Sequence, residues 1–405
     1  MPNKTRDYGD LRVTMTSEWE WRWNDRGTGA TRAIDVYHAK SQGELRPLGS
    51  FVSSTYIDGS TLTGKRATLL VGNNPDAKGK PAVASPTGYT LMWNDRGGGG
   101  KFDGSFWRPT APAGYVSLGD ICTSSYKDPS LNEIWCVRED LAIDSDYEPA
   151  SLWDDRNSGA KLYASVWAIS RPVPDRAGSE RICVLNDTCR LGPDNKYDQP
   201  DWRLAKVLGL PCPREFTRYD TKTPEFTKDN LPRGGDKFSE QKQAELVLPY
   251  TAFFPSSERK SLSLISDPFI SLSRHIAWEV YTTHTNNSAG EITDKTTITK
   301  GISQTDTTEM SHSAGVDISA SYGICGFGGS ISLNYQFTAT NTTSFNEYKE
   351  TSREQGFTVK PYQACVYLVR HVWIKSRRSN GSSTLAEIGY NMNEDIILVG
   401  VDLKA

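Results

Sequence analysis

The sequence predicts a mainly β fold, on three observations. A string opening on Trp, Asn or Asp, Asp and Arg occurs three times in the N-terminal part. Residues 311–344 alternate apolar and polar side chains with a period of two, as a strand with one dry and one wet face does. Composition agrees: Gly 34, Tyr 18 and Trp 11, with many Ser and Thr, favour strands and turns over helices. Helical periodicity is confined to two short candidates, Asp201–Leu208 and Ser239–Leu246.

The repeat comes first along the chain. Trp23-Asn-Asp-Arg-Gly-Thr-Gly-Ala30 returns as Trp93-Asn-Asp-Arg-Gly-Gly-Gly-Gly100 and again as Trp153-Asp-Asp-Arg-Asn-Ser-Gly-Ala160. Fourteen residues after each Trp stands another aromatic: Tyr37, Trp107 and Trp167. Alternating segments such as Arg66–Gly72, Gly114–Leu118 and Glu133–Val137 separate the copies. Three copies of a few strands each predict a pseudo-threefold β-prism over residues 1–171, every small sheet turning its Trp inward. Within the repeat, Asp25, Asp95 and Asp155 suit turn caps, Arg26, Arg96 and Arg156 suit local pairs, and the following Gly suits positive φ. The same three loops are also candidate head binding loops for a sugar or a lipid headgroup, since repetition favours weak multivalent contact.

Residues 172–258 hold ten prolines and no regular pattern, and read as a connector packed on its neighbours. Its polar stretch Lys222–Lys237 is the best candidate for proteolytic activation. Residues 259–405 return to strands: Leu262–Leu264, Phe269–Leu272, His275–Thr283, the Thr-rich Glu291–Ser303, Thr342–Thr358, Cys365–Ile374, Leu385–Tyr390 and Ile396–Leu403.

Inside this part lies the hairpin 311–344. Val316, Ile318, Ala320, Tyr322 and Ile324 share one face of the first arm, and Ile331, Leu333, Tyr335 and Phe337 one face of the second. The opposite faces carry Asp317, Ser319 and Ser321, then Ser330, Ser332, Asn334 and Gln336. The arms meet at a glycine-rich tip, Gly323–Gly329, which includes Phe327. A surface strand usually shows Lys and Glu to water, yet here only Asp317 is charged. Uncharged polar groups are less costly to bury in one state and to line water in another. Each arm has the ~9–11 residues that a tilted membrane strand needs. A lone hairpin has open edges in lipid, so insertion requires several copies closing a barrel with an even strand number. The other reading is a half-buried hairpin of a protein that never inserts.

Net charge is −3, with no long basic run, which argues against nucleic acid as a partner. No apolar run reaches the ~18 residues of a transmembrane helix. The N-terminal residues MPNKTRDYGDL lack the apolar core of a secretory signal, so the expectation is a soluble or inclusion-stored protein acting outside the cell that made it. Seven cysteines without a CxxC pair predict free thiols, with Cys183–Cys189 and Cys122–Cys136 as the alternatives if disulfides form. The five histidines show no metal-ligand spacing, and neither a nucleophile elbow nor a phosphate loop is present. The expectation is therefore no enzyme, no metal and no cofactor.

Two resemblances follow from quoted residues. Leu91–Cys122, above all Asp103-Gly-Ser-Phe-Trp-Arg-Pro109 with Gly114-Tyr-Val-Ser-Leu-Gly119, resembles the β-prism family related to vacuolar-sorting-like proteins. This implies a prism fold and a membrane- or glycan-facing head. The run from TTITKGISQTDTTEMSH through the hairpin to TVKPYQACVYLVRHVWI is similar in pattern to the pore-forming module of aerolysin-type, epsilon-toxin-like toxins. That resemblance implies an elongated sheet module, a cell-surface receptor, a homo-oligomeric ring and hairpin insertion into a target membrane. An insecticidal role is consistent with it. It would set Val316, Ile318, Ala320, Tyr322, Ile324, Ile331, Leu333, Tyr335 and Phe337 against lipid, with Phe327 leading. Asp317, Ser319, Ser321, Ser332, Asn334 and Gln336 would face the lumen, where a ring of Asp317 carboxylates would favour cations.

Overall fold

The computed structural model describes residues 2–57, 59, 61–170, 181–193, 195–211, 222–300, 351–384 and 388–404. The protein is mainly β throughout, and its contacts divide it into two compact units.

In the first unit the chain writes the same plan three times. The first repeat runs through β1 (Arg6–Tyr8), β2 (Leu11–Thr16), β3 (Trp19–Asn24), β4 (Asp35–Ala39), β5 (Phe51–Ser53) and β6 (Thr68–Asn73). The second has β7 (Val83–Ala84), β8 (Gly88–Asn94), β9 (Ser105–Thr110), β10 (Tyr115–Val116), β11 (Ile121–Thr123) and β12 (Cys136–Arg138). The third has β13 (Ala142–Asp144), β14 (Trp153–Asp154), β15 (Ser165–Ala168), β16 (Arg181–Val184), β17 (Cys189–Leu191) and β18 (Lys206–Pro211). Each repeat forms a Trp-bearing sheet, β3-β4-β5, β8-β9-β11 or β14-β15-β17, with the second strand in the middle. Each also forms a companion sheet, β1-β2-β6, β7-β12-β10 or β13-β18-β16. The second and third repeats thread these two sheets in one order. In the first repeat the counterpart of β10 is reduced to a bridge between Arg46 and Val71.

The three Trp side chains explain why the repeats assemble. Trp23, Trp93 and Trp153 are each at most 1% exposed and meet in one core cluster. Their rings pack edge to face, with centroids 5.1, 5.8 and 5.4 Å apart. That geometry sets the positive rim of one ring on the negative face of the next. Val36, Phe106 and Val166 from the middle strands complete the cluster.

The stretch read as connector supplies β16, β17 and β18, so the third repeat continues past residue 171 to Pro211. The helix expected over Asp201–Leu208 is a single 3-10 turn, Trp202–Leu204, capped by Asp201 and followed by β18. Leu262–Leu264 is not a strand: a short helix α1 (Arg259–Leu262) ends there, its first N–H groups bonded to the Glu258 carboxylate.

The second unit is built on long strands. β19 (Lys237–Pro249), β20 (Phe269–Asn286), β23 (Gln363–Arg378) and β24 (Ile388–Asp402) form one sheet in the order β19-β20-β23-β24, with β20–β23 and β23–β24 antiparallel. Ser239–Leu246, expected as a helix, lies inside β19. Phe269–Leu272 and His275–Thr283 merge into the single 18-residue β20, about 60 Å long at ~3.3 Å per residue. A separate ribbon pairs β21 (Ile292–Lys300) with β22 (Thr351–Val359). Ile298, Phe357 and Val359 point from the ribbon onto Tyr367 and Val369 of β23 and are buried there. Five cysteines, Cys122, Cys136, Cys183, Cys189 and Cys365, are free thiols, so the two disulfide alternatives do not form.

Candidate functional site

The repeated loop after each Trp is the candidate head site, and its two charged residues have different fates. Asp25, Asp95 and Asp155 are 3, 5 and 2% exposed. In each, Oδ1 accepts the backbone N–H nine residues on: Ile34, Gly104 and Ala164 at 3.2, 3.2 and 3.0 Å. The backbone carbonyl of each Asp takes the N–H of Thr28, Gly98 or Ser158, closing a tight turn. The next residue but one has positive φ: Gly27, Gly97 and Asn157 at 89, 90 and 69°. Glycine adopts this without strain, and asparagine is among the side chains that tolerate it best.

The loops are also tied to one another in a circle. Trp153 Nε1 donates to Asp25 Oδ2 at 3.0 Å and to the Arg32 carbonyl at 2.9 Å. Trp93 Nε1 donates to Asp155 Oδ2 and to the Leu162 carbonyl, both at 3.0 Å. Trp23 Nε1 donates to the Phe102 carbonyl at 3.1 Å. Every Trp thus reaches the neighbouring repeat, always at the carbonyl nine residues after that repeat's own Trp. The Asp25 and Asp155 carboxylates are structural acceptors that help hold the circle closed, whereas Trp23 is held by a backbone carbonyl.

A tyrosine completes each loop. Tyr56 OH donates to Asp25 Oδ1 at 2.7 Å, and the same bond pushes the Tyr56 phenol up to about 12 after burial has raised it. Tyr197, raised to about 12 by burial and by Asp155, stands in the same relation to the third repeat. Tyr126, raised by burial and by bonds to Asp95 and Asp103, serves the second. All three phenols stay protonated donors at neutral pH. Burial pushes Asp155 above the usual carboxylate range despite its bonds from Ala164, Trp93 and Tyr197.

Arg26, Arg96 and Arg156 are exposed. Each guanidinium lies over its tyrosine ring, at 4.3, 4.3 and 4.5 Å from the centroid. Stacking holds the planar cation without consuming its N–H groups. Of the candidate head residues, the three Arg can therefore meet a ligand, and Asp25, Asp95 and Asp155 cannot. Sequence reasoning missed the tyrosines. Tyr56 and Tyr126 both follow their Trp by 33 residues, a signal that the longer third repeat, with Tyr197, breaks.

A second buried charge group binds the repeats. Asp120 is fully buried and accepts from Arg108 Nη2 at 2.8 Å, Arg190 Nη1 at 2.8 Å and the Leu191 N–H at 2.8 Å. Burial would raise its carboxyl, but Arg108 and Arg190 outweigh that and hold it below its ordinary value.

The hairpin residues Val316, Asp317, Ile318, Ser319, Ala320, Ser321, Tyr322, Ile324, Phe327, Ile331, Ser332, Leu333, Asn334, Tyr335, Gln336 and Phe337 lie outside the described residues. The described β21–β22 ladder ends with Lys300 opposite Thr351. Among the described residues no helix is long and apolar enough to cross a membrane, which says nothing of strands.

Residues 3–200 match the family of vacuolar protein sorting-associated protein 62, a stretch that takes in the three repeats apart from β18. No curated protein matches the chain. Among solved structures it is similar to GNIP1Aa from Chromobacterium piscinae, at 20% identity and a TM-score of 0.38, over 49% of this chain and 37% of that one. The chain thus spans little more than a third of GNIP1Aa. It is also similar to Cry35Ab1, at 9% identity and a TM-score of 0.32, over 98% of this chain and 90% of that one.

Proposed function

We propose that the protein is a β-pore-forming toxin: a prism head that binds a cell-surface receptor, joined to an aerolysin-like module that oligomerises and inserts residues 311–344. One observation supports this reading above the others, the register of the ribbon at the mouth of the hairpin. Lys300 pairs with Thr351. If that register continued one residue at a time, it would set Val316 opposite Tyr335, Ile318 opposite Leu333 and Ala320 opposite Ile331. It would set Asp317 opposite Asn334, Ser319 opposite Ser332 and Ser321 opposite Ser330. Apolar would meet apolar and polar would meet polar, with the turn within the Gly323–Gly329 tip. Ile298, Phe357 and Val359, the buried residues of the ribbon, belong to the same apolar set. In that register the positions between the ribbon and the hairpin include the polar Lys300, Gln304, Asp306, Glu347 and Lys349, so the apolar face would be confined to residues 314–337, the part that would have to meet lipid.

In this reading the lumen would be lined by Ser, Asn and Gln with one carboxylate per protomer at Asp317. The head would concentrate protomers on the target surface, and lateral association would precede insertion. The largely exposed stretch 222–237 is where a protease would act. An insect target is part of the proposal, as is the absence of catalysis.

The test is dye release from liposomes and from insect gut vesicles, with and without mild trypsin, alongside gels for SDS-resistant rings. Release accompanied by rings supports the proposal. Binding without release or rings overturns it and leaves a β-prism recognition protein that does not insert.

A further inference from the structure

The three seams between repeats use equivalent positions but different side chains. In the seam between the first and second repeats, Trp21, two residues before Trp23, packs edge-on against Phe102, nine residues after Trp93, with centroids 4.8 Å apart. In the seam between the second and third, the same positions hold Leu91 and Leu162. In the seam between the third and first they hold Ser151 and Arg32. Arg32 Nη1 donates to the Ser151 carbonyl at 2.9 Å and to Ser151 Oγ at 2.8 Å.

The backbone departs at the same place. β3 and β8 are six and seven residues long and carry Trp19 and Tyr89 four residues before their Trp. The third repeat has Pro149 there, and β14 begins only at Trp153. Ladder contacts persist on either side, from Glu148 N to Ala168 O and from Leu152 N to Val166 O. Between them the chain leaves the ladder, because proline lacks the N–H that the ladder needs. With the aromatic plug replaced by Pro149 and Ser151, the seam stays open as a cleft of about 610 Å³. That falls within the roughly 300–1,000 Å³ typical of small-molecule sites.

The lining has a definite chemistry. Arg32 supplies donors, and beyond Nη1 its N–H groups make no hydrogen bond to the described residues. Glu148 presents an exposed carboxylate, Ser54 a hydroxyl, and Pro149 and Leu152 an aliphatic surface. Asp154 lies 3.7 Å from Arg32 and 3.8 Å from Arg156, so with Glu148 the charges about the cleft balance and select no ionic ligand. Donors and acceptors on the rim with an aliphatic wall match a pyranose, whose hydroxyls ring its edge and whose C–H face is apolar.

We propose that this open seam is a binding cleft for a neutral, hydroxyl-rich saccharide, which names the receptor chemistry of the head and rests on the reading of the repeats as a targeting head. The full-length protein is titrated with the methyl glycosides of galactose, glucose, mannose and N-acetylglucosamine, with sialic acid and inorganic phosphate as anionic probes. Arg32→Phe combined with Ser151→Trp rebuilds in this seam the plug already present at Trp21 and Phe102. The expected result is saturable binding of at least one neutral glycoside, weakened on the order of tenfold or more by the plug, the loss of about 1.4 kcal/mol or more. Glu148→Gln, which leaves the Trp circuit untouched, should also weaken it and serves if the double variant fails to fold. Binding of none of the neutral glycosides, binding of the anions alone, or undiminished binding by the folded variants overturns the proposal. Dye release from liposomes without glycans reads the pore proposal separately, so either can fail alone.

Discussion

Asp120→Ala tests how firmly the buried charges join the repeats. The wild-type carboxylate is 0% exposed and Arg190 is 1% exposed, so the substitution strands a guanidinium that water cannot reach. Removing one partner of a buried pair typically costs about 3–5 kcal/mol. The Leu191 N–H, 2.8 Å from Asp120 Oδ2, loses its acceptor as well. An orphaned buried donor costs about 1–3 kcal/mol, and because the two costs overlap the expected total is about 4 kcal/mol. Against a typical folding free energy of ~5–15 kcal/mol that is a large fraction. Arg108 adds less, since its side chain is 20% exposed and can turn to water. Urea unfolding followed by tryptophan fluorescence measures the loss, because Trp23, Trp93 and Trp153 are buried in this unit. Asp120→Leu with Arg190→Met removes both charges and should cost less than the single change. A single-variant loss below about 1 kcal/mol, or a double variant less stable than the single, would refute the reasoning.

Acid should act on two buried aspartates in opposite senses. Asp120 is held below the ordinary range, so its contribution is present above the unfolded value of ~3.9 and is lost as pH falls further. Asp155 is raised, so its protonated form is the favoured one, and that contribution is lost as pH rises through its folded value. Asp120→Asn should flatten the acid limb of stability against pH and Asp155→Asn should steepen it, read from urea midpoints across that limb. Trp153→Phe and Trp93→Phe each lose a donor to a carboxylate, worth about 1.5–3 kcal/mol, and Trp23→Phe loses one to a carbonyl, worth about 0.5–1.5 kcal/mol. Equal losses from all three in urea melts would show that the circuit does not matter. In the hairpin, Ile318→Lys should abolish dye release, since a lysine facing mid-bilayer lipid costs ~2–4 kcal/mol in every protomer. Ser319→Lys should keep release and move ion selectivity toward anions. Release by Ile318→Lys equal to wild type would invert the assigned faces.

The threefold plan was legible because the residues that build it are large and repeat at fixed spacing: Trp23, Trp93 and Trp153 have few ways to be buried other than against one another. Local pattern failed where partners decide. Ser239–Leu246 has the composition of a helix, yet pairing with the long edge of β20 draws it into β19. The stretch after residue 171 looked irregular because its strands gain their meaning from partners elsewhere in the chain: β17 lies on β15, and β18 lies on β13 and carries β16 on its other side. As candidate binding residues the repeated Asp and Arg stood together in the sequence. Tertiary structure separated them, because a short carboxylate can be buried under N–H and O–H donors while a guanidinium, longer and harder to satisfy, lies outside on tyrosine. The open seam was invisible in sequence for a related reason: a cleft made by what is missing at Pro149, Ser151 and Arg32 appears only when their positions are laid beside Trp19, Trp21 and Phe102 in space.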